Sequence, residues 1–142
     1  MSVDRELRAA LHADFFVELR DDRGDPGSSD VQRLDALLDS LDLLPLETGW
    51  QLIDLSQAKA LLDDVLGETL GGGVPVVHRL PPDRILAGFL ASFDTRRARF
   101  YTNVTAWRGG DASSWTPFTR GGRCVCVACC DDRQAGMLWT DQ

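Results

Sequence analysis

The stretch Cys124-Val-Cys-Val-Ala-Cys-Cys-Asp-Asp-Arg-Gln-Ala-Gly-Met-Leu-Trp-Thr140 reads as a β-hairpin. Two short runs of apolar, β-branched, small and aromatic residues, Cys124 to Cys130 and Gly136 to Thr140, flank the polar turn Asp131-Asp132-Arg133-Gln134. Just upstream, from Arg97, the chain alternates with period two. Ala98, Phe100, Thr102, Val104 and Ala106 face one way, and Arg97, Arg99, Tyr101, Asn103, Thr105 and Trp107 the other. The C-terminal half is therefore expected to be an antiparallel sheet.

The N-terminal half follows a helical period. Val3, Leu7 and Leu11 give a first helix a buried stripe, with Ser2 as its cap. Residues 14–20 fit either a strand or a continuation of that helix, and the reading leans to helix. Asp21 to Ser29 is loop, broken by Gly24 and Asp25-Pro26-Gly27. Ser29 or Asp30 then caps a helix with Val31, Leu34, Leu37, Leu38 and Leu41 on its apolar face, and Pro45 marks its end. Trp50 to Leu55 is expected as a short strand. Ser56 is expected to cap a helix that turns Ala58, Leu61, Leu62, Val65 and Leu66 inward. Gly71-Gly72-Gly73 is a hinge, Val74 to Leu80 a strand limited by Pro75, and Pro81-Pro82-Asp83 opens a helix through Phe93. Helices early and strands late predict a single α+β domain over residues 1–142. About three helices would pack on four to five antiparallel strands ending in the hairpin.

Composition narrows the function. The chain has 142 residues, enough for one real core, with 44% hydrophobic and 26% charged residues. Net charge is −7, but residues 1–70 carry 6 basic and 16 acidic side chains, and residues 71–142 carry 9 and 6. An acidic balance argues against nucleic acid, whose phosphates demand cations, and against an anionic membrane surface. It favours rapid encounter with basic partners. No apolar run approaches the roughly 20 residues of a membrane span, and the N-terminus lacks a signal peptide's apolar stretch, so the expected location is the cytoplasm. One lysine against 14 arginines suggests a GC-rich bacterial genome.

Within the acidic half, Asp35, Asp39 and Asp42 recur at helical spacing, on what reads as one face of one helix with no base placed to pair with them. Like charges three or four apart cost about 0.2–0.5 kcal/mol per pair. Carboxylates near a helix C-terminus also oppose its dipole. With the preceding loop residues Asp21, Asp22 and Asp25, this row is the expected partner-binding surface. Trp115, between Ser114 and Thr116 in a polar loop, is either an interface anchor or cover for the sheet edge.

Two other chemistries compete. The four cysteines could suggest a thiolate metal or redox site. In a strand, however, Cys124, Cys126 and Cys130 share a face with neighbours about 7 Å apart, and Cys129 points away, a poor match to a single zinc. A small hydrolase or transferase would need a positioned carboxylate or one of the two histidines, His12 or His78, and no catalytic motif places one. Neither a cofactor nor a metal is expected.

The stretches Arg99-Phe-Tyr-Thr-Asn-Val-Thr-Ala-Trp107 and Ser114-Trp-Thr-Pro-Phe-Thr119, with the hairpin ending Met137-Leu-Trp-Thr-Asp141, resemble the C-terminal part of small bacterial immunity proteins. The resemblance covers roughly the last third of the chain and transfers no binding residues. It implies a non-enzymatic protein that neutralises a cognate toxin by binding it, and an acidic surface implies that the toxin is basic. It also implies an acidic tail, which Thr140-Asp141-Gln142 does not supply.

Overall fold

The computed structural model describes residues 3–23, 27–67, 70, 75–108 and 111–142. The C-terminal hairpin is its centre. Strands β6 (Cys124–Cys130) and β7 (Gln134–Asp141) pair antiparallel, with Cys126 opposite Trp139 and Val127 opposite Leu138. Asp131 builds the turn: its carboxylate accepts from the Arg133 and Gln134 amides at 2.8 and 2.9 Å. Around this pair lie β1 (Phe15–Asp21), β2 (Gln51–Ile53) and β3 (Arg99–Thr102), giving a five-stranded antiparallel sheet in the order β1-β7-β6-β3-β2.

Alternation along each strand divides the core in two. One face turns Phe15, Val17, Val127, Cys129 and Leu138 toward α1 (Val3–Ala10), α3 (Leu55–Gly67) and α4 (Pro82–Leu90). The other turns Cys124, Cys126, Cys130, Met137 and Trp139 toward Leu34, Leu37 and Leu38 of α2 (Asp30–Ser40), with Phe118 and Trp50 beside them. Because both faces of β6 are covered, every residue of that strand is buried. The α+β class and the C-terminal hairpin agree with the sequence. The helices divide three and one between the two faces.

At Asn103 the chain leaves the main sheet. Its amide stands in for a ladder, accepting from the Cys126 amide at 2.9 Å and donating to the Cys124 and Thr116 carbonyls at 2.8 and 2.9 Å. That released stretch becomes β4 (Val104–Arg108), which among the described residues pairs with β5 (Asp111–Trp115) alone. The continuous alternation expected from 97 to 107 is thus two strands with a polar pivot between them.

Four local expectations are corrected. Residues 15–21 are strand β1 rather than helix, because Phe15 and Val17 bury on one face while Phe16 lies on the other. The cap of α3 is Asp54 rather than Ser56. Asp54 accepts from the Gln57 amide at 2.7 Å, and Gln57 accepts from the Asp54 amide at 2.9 Å. Residues 76–80 form no strand; the segment is tied instead by Arg79 N–H to the Ala10 carbonyl and by Val76 N–H to that of Gly67. Helix α4 stops at Leu90 rather than Phe93. Gly71-Gly72-Gly73 lies outside the described residues.

Candidate functional site

The acidic residues singled out in the sequence do not share one role. Asp22 is structural. Its side chain is 9% exposed and grips the guanidinium of Arg33, itself 2% exposed, through two bonds of 2.9 and 2.8 Å. Arg33 also lies 3.5 Å from Asp30, which receives Arg99 through bonds of 2.9 and 2.8 Å and the Tyr101 hydroxyl at 2.7 Å. Asp132 extends the network to Arg97 and Arg99. The hydrogen bond from Arg99 holds the Asp30 carboxyl below its ordinary range, against the opposing effect of burial. Burial first, and then its bond to Asp30, push the Tyr101 hydroxyl up. A guanidinium buried this deeply requires such partners, since removing one partner of a buried pair costs about 3–5 kcal/mol. The pairing of the Arg99 strand face with the acidic half is therefore a clasp between β3 and α2.

Asp35 is also structural. Its carboxylate accepts from the amides of Leu46 and Glu47 at 3.0 and 3.1 Å and from the Trp50 indole at 2.9 Å. It thereby caps the 3₁₀ turn Glu47–Gly49, supplying the acceptor that turn's first amides lack. The row read as a single helix face is broken for this reason, and again at its other end. Helix α2 finishes at Ser40, and Asp42 follows it with φ +58°. Leu43 N–H reaches the Leu38 carbonyl at 2.9 Å and Asp42 N–H reaches that of Asp39 at 3.1 Å. Those two bonds are a Schellman ending, with Asp42 in the left-handed position that usually takes glycine.

Asp39 and Asp42 are exposed. Both carboxylates sit at the negative end of the α2 dipole, where a charge of that sign is unfavourable by about 0.3–1 kcal/mol. Asp21, at the end of β1, is exposed as well and accepts from the Arg23 amide at 3.2 Å. Asp25 lies outside the described residues. Trp115 ends strand β5 rather than lying in a loop; it is half-buried against the core, and its indole donates to the Gly122 carbonyl at 2.7 Å.

Leu41 and Leu43, which follow the end of α2, line a cleft of about 580 Å³ that composition gave no means of finding. Its floor is Phe16 and Trp139, stacked with ring centroids 5.3 Å apart. Leu41 and Leu43 form one wall, and the end of α1 with Leu11 and His12 forms the other. Phe16 remains 41% exposed and the neighbouring Leu44 50%. Asp42, between Leu41 and Leu43 in the chain, lines a separate pocket with Leu44, Phe118 and Arg120. Glu18 and Asp141 also line the cleft; Glu18 is paired with Arg8 at 2.8 Å.

The competing chemistries gain no geometry. All four cysteines are free and buried, and burial pushes Cys130 up to about 12 and Cys126 and Cys129 higher still, away from reactive thiolate. Among the described residues, no three His, Cys, Asp or Glu side chains are grouped to hold a metal ion. The histidines meet each other rather than a cysteine: His78 Nδ1 accepts from the His12 amide at 2.9 Å, so its Nε2 carries the proton and donates to the Leu66 carbonyl at 2.9 Å. Comparison of the chain with protein-family models, curated proteins and solved structures finds no match.

Proposed function

We propose that this is a non-enzymatic binding protein that captures a basic protein partner, most simply as an immunity protein neutralising a basic bacterial toxin in the cytoplasm. The observation that carries the reading is the end of α2. Asp39 and Asp42 are held exposed at the negative pole of a helix, one of them in a left-handed backbone, and Leu41 and Leu43 of the same segment line an apolar cleft. Neither carboxylate stabilises the fold there. A partner bringing cations would turn both penalties into attraction, and the stacked Phe16–Trp139 floor offers the apolar centre that protein interfaces bury. Asp21 is a further exposed carboxylate, at the end of β1.

The test uses the product of the neighbouring gene, expressed in a bacterial host with and without this chain. Rescue of growth and a direct complex in titration calorimetry are expected. The Asp39→Asn/Asp42→Asn double variant should keep its fold and lose at least roughly tenfold in association rate at low salt, since rim charges act mainly on encounter. A neighbour product that is harmless, or that kills equally with this chain present, would overturn the immunity reading.

A further inference from the structure

The cleft over Phe16 and Trp139 and the pocket lined by Asp42 share two residues, Leu43 and Asp141. The second depression measures about 290 Å³. Backbone bonds hold the shared wall in place. Leu43 N–H is bonded to the Leu38 carbonyl and Leu44 N–H to that of Phe118, each at 2.9 Å. Asp141 N–H is bonded to the Asp14 carbonyl at 3.0 Å. Leu44 and Phe16 nevertheless stay exposed, one beside each depression. A surface with its backbone tied down and its large apolar side chains left out is suited to contact, because binding has little there to order.

Asp141 stands at the junction. It is half-buried, and its Oδ1 accepts from the Thr119 hydroxyl at 3.0 Å. Its Oδ2 takes no bond among the described residues, and neither Asp141 nor Asp42 has a cation within ion-pairing distance there. Arg120 lines the second pocket and pairs with neither. In the cleft the Arg8 guanidinium is already engaged, by Glu18 at 2.8 Å and by the Val17 carbonyl at 3.0 Å. The two depressions thus hold three carboxylates, Glu18, Asp42 and Asp141, against the two guanidiniums of Arg8 and Arg120. A half-buried carboxylate with a free oxygen gains more from a cation than an exposed one, since less water screens the pair.

We infer that these two depressions form a divided socket, taking one lysine or arginine of the partner at Asp141 and a neighbouring aromatic side chain over Phe16. The inference rests on the reading of the protein as a binder of a basic partner and supplies the point of contact. A long basic side chain has an apolar stem and a charged head. Leu43 and Leu44 suit the stem, and Asp141 with Asp42 suits the head. An aromatic ring suits the cleft, where Phe16 already stacks on Trp139. Charge alone would be satisfied at any surface carboxylate. The two requirements meet on either side of Leu43, and that pairing selects the partner.

The test needs no identified partner. Three capped tripeptides, Lys-Trp-Lys, Glu-Trp-Glu and Lys-Gly-Lys, are titrated into the full chain and followed by NMR. Lys-Trp-Lys is expected to shift the Leu43, Leu44 and Asp141 amides together with the Trp139 indole. It should bind about tenfold or more tightly than either of the other two. Asp141→Asn removes the charge but keeps an acceptor for the Thr119 hydroxyl, and Leu44→Ala removes the exposed side chain but keeps the backbone bond to Phe118. Each should weaken Lys-Trp-Lys about fivefold or more, while the urea midpoint confirms a native fold. Asp21→Asn makes the same change in net charge outside both depressions and should leave binding within about twofold. Equal binding of the three peptides, equal weakening by Asp21→Asn and Asp141→Asn, or an Asp141 amide unmoved at saturation would overturn the inference. Growth rescue separates the two proposals. If the chain carrying both Asp141→Asn and Leu44→Ala still rescues fully, the socket is not the contact and the immunity reading stands. If the parent chain does not rescue, the immunity reading falls and the titration still decides the socket.

Discussion

Single residues decide which carboxylates hold the fold and which face outward. Asp42 is the sharpest case. Its left-handed φ of +58° suits glycine, and its charge adds to the negative pole of α2. Asp42→Gly should therefore stabilise the isolated protein by about 0.5–1 kcal/mol, read as a rise in urea midpoint at unchanged slope, while weakening capture of a basic partner. A loss of stability would show that the side chain is a structural acceptor after all. The sequence displayed the spacing of Asp35, Asp39 and Asp42 but not this division of labour. Asp35 is spoken for by Leu46, Glu47 and Trp50, the last of them 15 positions away, and no local periodicity reports a bond of that kind. Trp115 packs on the core and bonds Gly122, seven positions on, a contact that its polar neighbours in sequence do not announce.

At the scale of elements, period and capping were readable wherever the stabilising contacts are local. Helix α2 declares itself by Ser29 and Gln32, which exchange bonds of 3.2 and 2.8 Å in a capping box, and by its leucine stripe. Strand β1 did not, because Phe15, Phe16 and Val17 are a run of apolar residues that fits either period; its partner is β7, over a hundred residues away. The clasp joining α2 to β3 is equally non-local. Arg33 would pass as a surface residue of its helix, yet Asp22, eleven positions earlier, and Asp30 bury it. Asp22→Ala should consequently cost about 3 kcal/mol, because it strands a guanidinium that cannot lose its proton. Asp39→Asn, a few residues on, should cost nothing or stabilise by about 0.3–1 kcal/mol. Chemical unfolding of the two variants side by side checks this, and equal costs would remove the distinction between the structural and the outward carboxylates.

Across the whole molecule, the acidic and basic halves of the sequence are stitched together rather than segregated. Arg99 from the basic half closes on Asp30 of the acidic half, and His78 ties the segment after residue 75 to both the end of α1 and Leu66 of α3. These two stitches titrate in separate windows. His78 is held neutral, its ordinary value of 6.5 lowered chiefly by burial and also by neighbouring His12, against the raising effect of its bond to Leu66. The unfolded chain therefore takes up a proton at this site before the folded one does, and stability falls as pH drops below about 6.5 until the lowered folded value is passed. Protonation also places a hydrogen on Nδ1, where the His12 amide already donates, so the same titration opposes the bond. Asp30 behaves in the opposite sense. Its folded carboxyl lies below 3.8, so its contribution is fully present above that value and disappears only as pH falls through the lowered one. Acid loss of stability should accordingly come in two stages, one setting in as pH falls through about 6.5 and one below about 3.8. In His78→Gln the first stage should flatten while the second stays, and in Asp30→Asn the second should shrink while the first stays. Thermal midpoints recorded from pH 7.5 to 3 at constant ionic strength decide it: a first stage undiminished in His78→Gln would mean that the histidine does not bind the end of α1 to the sheet's helical layer in the neutral form described.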